Sequence, residues 1–165
     1  MNSSHTADLR LCSVERSHIA DLIRIGEETR LSFWSAESYL AEIANPDAIM
    51  FRLVSDDNET VGFVVGRAIA GGRIEVAPEA EIYNIAVVDA FRGRGCGQRL
   101  LDAFVRAAVE KKARTVWLEV RESNTQAIGF YTRNGFEHVQ TRPNFYSEPR
   151  EAALLMRLDL GKQKS

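Results

Sequence analysis

The sequence predicts a mixed α/β fold: a central, twisted, mixed and mostly antiparallel sheet of about seven strands, with about four helices on its two faces. Three observations predict it. Within Glu81–Val120 a β-rich run, a glycine-rich turn, an amphipathic helix and an apolar strand follow one another. Two parallel strands joined by such a helix require a right-handed crossover. Two strand-like runs flank the tight turn Asp56-Asp57-Asn58-Glu59, which makes them an antiparallel hairpin. Two further short strands close the chain after a helix stopped by Asn134-Gly135, a left-handed terminator.

The elements follow in order. Leu9, Leu11 and Ser13 alternate with Arg10, Cys12 and Val14, a short opening strand. Ser17 is placed to cap a helix carrying Ile19, Leu22, Ile23 and Gly26 on one face. Ser35 caps a second helix, with Ala36, Glu37 and Ser38 in its first turn and Tyr39, Leu40 and Ile43 as its apolar face. Asn45-Pro46 ends it, because proline cannot continue a helix. Ile49–Ser55 and Thr60–Ala70 form the hairpin, and Gly71-Gly72 breaks the second run. Glu81–Val88 is a strand rich in Ile and Val. The next helix carries Leu100, Leu101, Phe104, Val105, Ala108 and Val109 at helical spacing. It ends in Glu110-Lys111-Lys112, where two lysines suit the negative end of the dipole. Thr115–Val120 reads as a buried strand, Asn124–Arg133 as a helix, and Phe136–Gln140 and Ala153–Leu158 as the closing strands.

Length and composition narrow the function. The 165 residues fit one domain of about 150 residues: a single domain over 1–165, its core spanning about residues 7–159 between short polar tails. Hydrophobic residues make up 45% of the chain, enough for a packed core and too many for disorder. The net charge of −2 argues against direct nucleic-acid binding by bulk electrostatics. Two cysteines, Cys12 and Cys96, exclude a disulfide scaffold, and His5, His18 and His138 form no ligand pattern, so no metal is expected. No apolar run approaches the ~20 residues of a membrane helix. Met1–Thr6 is polar, unlike a signal peptide. The expectation is a cytoplasmic domain away from membranes.

The informative stretch is Arg92-Gly93-Arg94-Gly95-Cys96-Gly97, between a strand and a helix. Glycines there let the backbone approach a ligand closely. The helix N-terminus offers N–H groups and partial positive charge, and Arg92, Arg94 and Arg99 add cations. Together these form a phosphate cradle. No Lys-Ser/Thr follows Gly97, and the glycines stand at i, i+2 and i+4. Both the Walker and the dinucleotide patterns therefore fail. The bland alternative is a glycine-rich surface turn with solvated arginines.

The pattern R-x-x-G-x-G resembles the pyrophosphate loop of the GNAT superfamily of N-acetyltransferases. The resemblance widens through Asn84-Ile85-Ala86-Val87, Trp117-Leu118-Glu119-Val120-Arg121, Ser123-Asn124, Ala127-Ile128, Phe130-Tyr131 and Asn134-Gly135-Phe136. It is strongest to the ribosomal-protein N-terminal acetyltransferase branch, the RimI type. Phe33-Trp34-Ser35, Arg142-x-Asn144-Phe145-Tyr146 and Arg150-Glu151-Ala152 fit that branch too. The match spans most of Phe33–Leu158, and Asn84–Phe136 is its specific part. It implies a GNAT fold whose sheet splays in the middle. It also implies acetyl-coenzyme A as cosubstrate and the N-terminus of a ribosomal protein as partner, with monomer and homodimer both open.

Residue by residue, the resemblance implies a cofactor site at Arg92, Gly93, Arg94, Gly95, Cys96, Gly97 and Gln98. Backbone groups of Ile85, Ala86 and Val87 serve pantetheine, and a strand N–H, that of Val87, acts as oxyanion donor. Asn124 is both a helix N-cap and a cofactor contact. Glu119 stands in an apolar strand where a carboxylate is costly to bury, and desolvation raises its pKa. The resemblance makes it the general base; the other reading is a solvent-facing position paired with Arg121 or an arginine of a neighbouring strand. Tyr131 is implied as the acid that protonates the coenzyme A thiolate and as a cofactor contact, though Ile128, Phe130 and Tyr131 also suit a helix packed on the sheet. An α-amine titrates near ~7.7–8.0 and a lysine amine near ~10.4, so a terminal amine needs only a modest base.

Acceptor recognition is implied at Phe33, Trp34, Tyr83 and Tyr146, with Glu81 and Phe145 as further candidates; Phe33-Trp34 equally suits an ordinary core staple. Cys96 lies at a helix N-terminus beside arginines, which would lower its pKa and make an acyl-cysteine conceivable; the family transfers acetyl directly. Cys96 replaces the family's frequent aliphatic residue, and Phe145-Tyr146 stands where two tyrosines are common. Ala152 stands where an acidic residue often follows the glutamate; these departures bear on peptide preference. Two other functions fit the loop: acetylation of a small amine such as a polyamine, aminoglycoside or amino acid, and a non-catalytic module binding acyl-coenzyme A.

Overall fold

Seven strands and four α-helices are present in a computed structural model that describes residues 8–71 and 76–162. They run β1 (Arg10–Ser13), α1 (Ile19–Glu28), α2 (Ala36–Ile43), β2 (Ala48–Val54), β3 (Thr60–Ile69), β4 (Glu79–Val87), α3 (Cys96–Glu110), β5 (Thr115–Arg121), α4 (Thr125–Arg133), β6 (Glu137–Ser147) and β7 (Arg150–Asp159). The sheet order is β1-β2-β3-β4-β5-β7-β6. β4 and β5 are parallel, from Glu79↔Thr115 to Ile82↔Leu118, the pairing that the helical crossover demands. The pairs β1–β2, β5–β7 and β6–β7 are antiparallel. Among the described residues no helix is long and apolar enough to cross a membrane. Gly72, Met1–Thr6 and the last three residues lie outside the described residues.

The chain divides into two compact units. The first comprises Met1–Gly66 and Asn84–Arg106. Its core is Leu22, Ile25, Tyr39, Leu53, Phe63, Val64, Leu100 and Phe104. Ser35 caps α2 as the sequence predicts, its hydroxyl accepting from Ser38 N–H at 3.1 Å. Ser17 is not a cap. It lies inside a single 3-10 turn, Arg16–His18. His18 holds the N-cap position of α1, and Glu15 caps the 3-10 turn, donating its N–H to Nδ1 of His18 at 2.9 Å. Helix α1 consequently buries Ile19, Leu22 and Ile25, with Ile23 only half-buried. On α2 the buried residues are Tyr39 and Glu42, while Leu40 and Ile43 are half-buried.

The second unit comprises Arg67–Tyr83 and Ala107–Ser165. Its core is Val116, Leu118, Val120, Tyr131, Phe136, Ala153, Met156 and Leu158. Strand β5 alternates strictly: Val116, Leu118 and Val120 point inward, and Trp117, Glu119 and Arg121 lie on the opposite, half-open face. Helix α4 stops at Gly135, φ +90°. There Phe136 N–H bonds the Tyr131 carbonyl at 3.0 Å and Gly135 N–H that of Thr132 at 3.1 Å, the two bonds of a Schellman stop. Lys112 at φ +67° ends α3 through the same pair of bonds. Val109, expected on the apolar face of α3, is 51% exposed, while Ala108 beside it in the same turn is fully buried. Strand β6 is 11 residues long where a strand ending at Gln140 is expected. It continues through Pro143 with register shifts between His138 and Gln140 and between Arg142 and Tyr146. It is the last strand in the sheet order, and edge strands tolerate proline and bulges.

Candidate active site

In the first unit, the glycine-rich turn lies at the start of α3. Gly93 and Gly95 adopt φ +73° and +76°, a region costly for any residue with a Cβ. A Cβ built on either meets nothing within 4 Å, so the turn has room for a ligand against its backbone. The first helical hydrogen bond runs from Arg99 N–H to the Gly95 carbonyl at 3.0 Å. The amides of Cys96 and Gly97 therefore precede the ladder of the helix and face its positive end. The cradle fits a diphosphate.

Its arginines are not equivalent. Arg92 donates Nε to the Val87 carbonyl at 3.3 Å and stands 3.3 Å from Asp89, tying the turn to the end of β4. Arg94 lies over the ring of Phe91, 5.1 Å from its centroid. Gln98 donates to Asp102 at 2.8 Å. Beside the turn, Ala86 is buried, while Ile85 and Val87 are half-buried. Cys96 corrects an expectation: its side chain is 2% exposed, and burial pushes its thiol up despite the opposing charges of Arg99 and Arg94. It is a core thiol, and an acyl-cysteine has no support. Phe33 and Trp34, near α2, separate. Trp34 packs on Tyr39 with centroids 5.2 Å apart, a staple for α2, whereas Phe33 is 76% exposed.

In the second unit, the half-open face of β5 collects the remaining candidates. Glu119 accepts from Nη1 of Arg142 at 2.8 Å; their side chains are 19% and 45% exposed. Arg142 reaches from β6 across β7, where its register partner is Ala153, itself paired with Arg121 of β5. A side chain ending at Cβ leaves the guanidinium room to cross. Glu81 is level with Trp117 in the parallel register. Burial raises its pKa, the Glu119 charge raises it further, and Arg142 and Arg67 pull it back. Arg67 lies over the ring of Tyr83 at 5.7 Å.

Tyr146 packs its ring edge-on against Phe145 at 5.0 Å and beneath Arg121 at 4.0 Å. Its phenol is raised by burial, then by Glu119, against the pull of Arg121. Arg121 pairs with Glu151 at 3.3 Å, and Glu151 accepts the backbone N–H of Ser123. Asn124 caps α4, its Oδ1 accepting from Ala127 N–H at 3.1 Å. Tyr131 is 6% exposed, against Phe130 and Phe136 at 5.3 and 5.5 Å. Burial drives its phenol far above the ordinary range, and Tyr146 adds to the shift. It keeps its proton at any physiological pH.

The structure thus groups Glu119, Glu81 and Tyr146 on one face, with Tyr131 within electrostatic reach of Tyr146. Sequence reasoning missed Arg142 as the partner of Glu119; an arginine on a neighbouring strand was the only signal, and it left the strand open.

Residues 19–136 match the acetyltransferase (GNAT) family. The chain belongs to the GNAT family. It is an N-acetyltransferase, and acetyl-coenzyme A is the acetyl donor of this family. The chain is 31% identical over 153 residues to the [ribosomal protein bS18]-alanine N-acetyltransferase of Haemophilus influenzae, covering 91% of this chain and 94% of that protein. The crystal structure of the Escherichia coli ribosomal-protein-S18-alanine N-acetyltransferase superposes with TM-score 0.79 at 25% identity, over 92% of this chain and 94% of that one. Ard1 from Thermoplasma volcanium gives 0.81 at 27% identity, over 92% and 97%. The sheet of seven strands and the four helices of this GNAT protein are the fold those structures share.

Proposed function

We propose that this GNAT enzyme acetylates the α-amine at the N-terminus of a ribosomal protein by direct attack in a ternary complex, working as a single domain in the cytoplasm. The observation that carries the reading is the 31% identity, kept over 91% of the chain, to an enzyme named for that modification. The geometry supports it. In the first unit the turn Arg92–Gln98 offers helix N–H groups to a diphosphate and Ile85–Val87 offer backbone to pantetheine; the family resemblance adds Asn124 as a further cofactor contact. The thioester supplies an activated acetyl carbon.

Glu119 takes the proton of the acceptor ammonium, directly or through water. The amine nitrogen then bonds to the acetyl carbon as the C–S bond breaks, and the second proton of that nitrogen passes to water, from which Tyr131 regains the proton it gives to sulfur. In this reading the N–H of Val87 serves as the oxyanion donor, and Tyr131, held protonated by burial, donates to the departing sulfur. Tyr83 and Tyr146 of the second unit, and Phe33 and Trp34 of the first, are the residues this reading assigns to the acceptor chain.

The test is to incubate the protein with acetyl-coenzyme A and N-terminal peptides of ribosomal proteins, reading intact mass. One acetyl on the α-amine is expected. A folded protein that acetylates small amines but no peptide would overturn the acceptor, and one that binds acetyl-coenzyme A without turnover would overturn the catalytic roles.

A further inference from the structure

The contact between Arg142 and Glu119 joins a cation that is free to leave to a carboxylate that needs one. Glu119 is mostly enclosed, while nearly half of Arg142 is in solvent. Arg142 is the last residue before the register of β6 breaks, on the strand that ends the sheet order. Pro143 and Asn144 (φ +55°) follow. The other groups facing this spot are committed or of the wrong sign. Glu81 on β4, Tyr146 on β6 and Glu151 on β7 add negative charge or a phenol. Arg121 is held by Glu151, by Tyr146, and by the carbonyls of Glu148 and Pro149. Arg67 lies over Tyr83, and Arg157 of β7, opposite Trp117, lies over the Trp117 ring. Arg142 is thus the cation nearest Glu119, and an acceptor amine arrives as a cation too.

We infer that Arg142 is a placeholder for the acceptor ammonium, occupying Glu119 while the amine is absent and yielding the carboxylate when the amine docks. It is a positioning residue acting through Glu119, and the inference rests on the reading of Glu119 as the base. The exchange conserves charge at the carboxylate: one N–H···O ion pair breaks, another forms, and the guanidinium goes to water. It also selects for amines over their acetylated products, which carry no cation to displace the arginine. Partly exposed ion pairs are weak enough to be exchanged in this way.

The test follows the arginine itself. Nitrogen-15 NMR of the arginine side chains on the full chain identifies the Arg142 guanidinium by its loss in Arg142→Lys. Titration with alanine amide should move that signal to a solvent-like, freely rotating position, and N-acetylalanine amide should leave it in place. A signal that alanine amide does not move overturns the inference. Kinetics give a second readout. Arg142→Gln should lower the acceptor KM about two- to five-fold while the acetyl-coenzyme A KM stays in place. Arg142→Lys should return the acceptor KM to that of the parent. A higher acceptor KM in Arg142→Gln is the outcome of a merely structural arginine and also overturns it. Failure of the functional reading looks different: alanine amide displaces Arg142, yet no peptide α-amine gains an acetyl group.

Discussion

The guanidinium of Arg121 lies over the ring of Tyr146, 4.0 Å from its centroid. Arginine stacks on an aromatic face and pairs with a carboxylate at once, and Arg121 does both, meeting Glu151 at 3.3 Å. Such a partly buried stack contributes about 0.5–2 kcal/mol. Arg121→Ala should therefore lower the melting temperature and, by freeing Tyr146, raise the acceptor KM while the cofactor KM stays put. Arg121→Lys should recover part of the stability and little of the KM, because an ammonium cannot lie flat on the ring. Equal recovery of both would show that charge alone matters.

Glu151 makes stability depend on pH. The bonds from Ser123, and then Arg121, hold its carboxyl below the ordinary 4.5. A carboxylate depressed in the folded state stabilises above its unfolded pKa, and that gain disappears as pH falls through the folded value. Glu151→Gln should thus be less stable than the parent at pH 7. The gap should narrow below pH ~4.5, measured by urea unfolding across the range. A gap that widens on acidification would contradict the assignment.

Much of this was legible in the chain. The strand, glycine turn and helix over Glu79–Glu110 show because positive-φ glycines and a 3.6-residue period are local signals. Ser35 and Asn134-Gly135 are legible for the same reason. What was hidden depends on partners distant in sequence. Ser17 loses the cap because the chain enters α1 through the 3-10 turn Arg16–His18, closed by the Glu15 N–H on the His18 ring, a choice that no propensity encodes. The second half of β6 falls outside the strand predicted to end at Gln140, because Pro143 and polar neighbours are tolerable in a strand only on an edge. Glu119 in an apolar strand announces a special carboxylate. That Arg142 answers it depends on how β6 is registered against β7.

Tyr131 separates proton donation from binding. Its hydroxyl is enclosed, and burial, then Tyr146, pushes its pKa far up. The phenol accordingly remains protonated through the physiological range, and the alkaline side of the rate profile there should show no fall from it. Tyr131→Phe should lower kcat by about 10²–10⁴-fold, with the shape of the profile and the dissociation constant of coenzyme A retained. A variant that loses cofactor affinity instead would make Tyr131 a packing residue.

Gly62 couples the core to the cofactor strand in the first unit. A Cβ there would stand 2.9 Å from the Ala86 carbonyl oxygen, 3.2 Å from Leu100 and 3.3 Å from Val87. The nearest atom is backbone and cannot swing aside. Gly62 lies in β3, and the neighbouring Val61 carbonyl accepts the N–H of Val88 at 2.9 Å, so β3 is anchored at this level. Overpacking of this kind costs about 1–3 kcal/mol. Gly62→Ala should therefore lower stability by that amount. Because the push falls on Ala86 and Val87, the cofactor KM should rise more than the acceptor KM. Gly26→Ala is the control: a Cβ there meets nothing within 4 Å, and within α1 alanine should stabilise by about 0.5–1 kcal/mol with both KM values unchanged. If Gly62→Ala loses stability while binding acetyl-coenzyme A as the parent does, Ala86 and Val87 do not hold the cofactor.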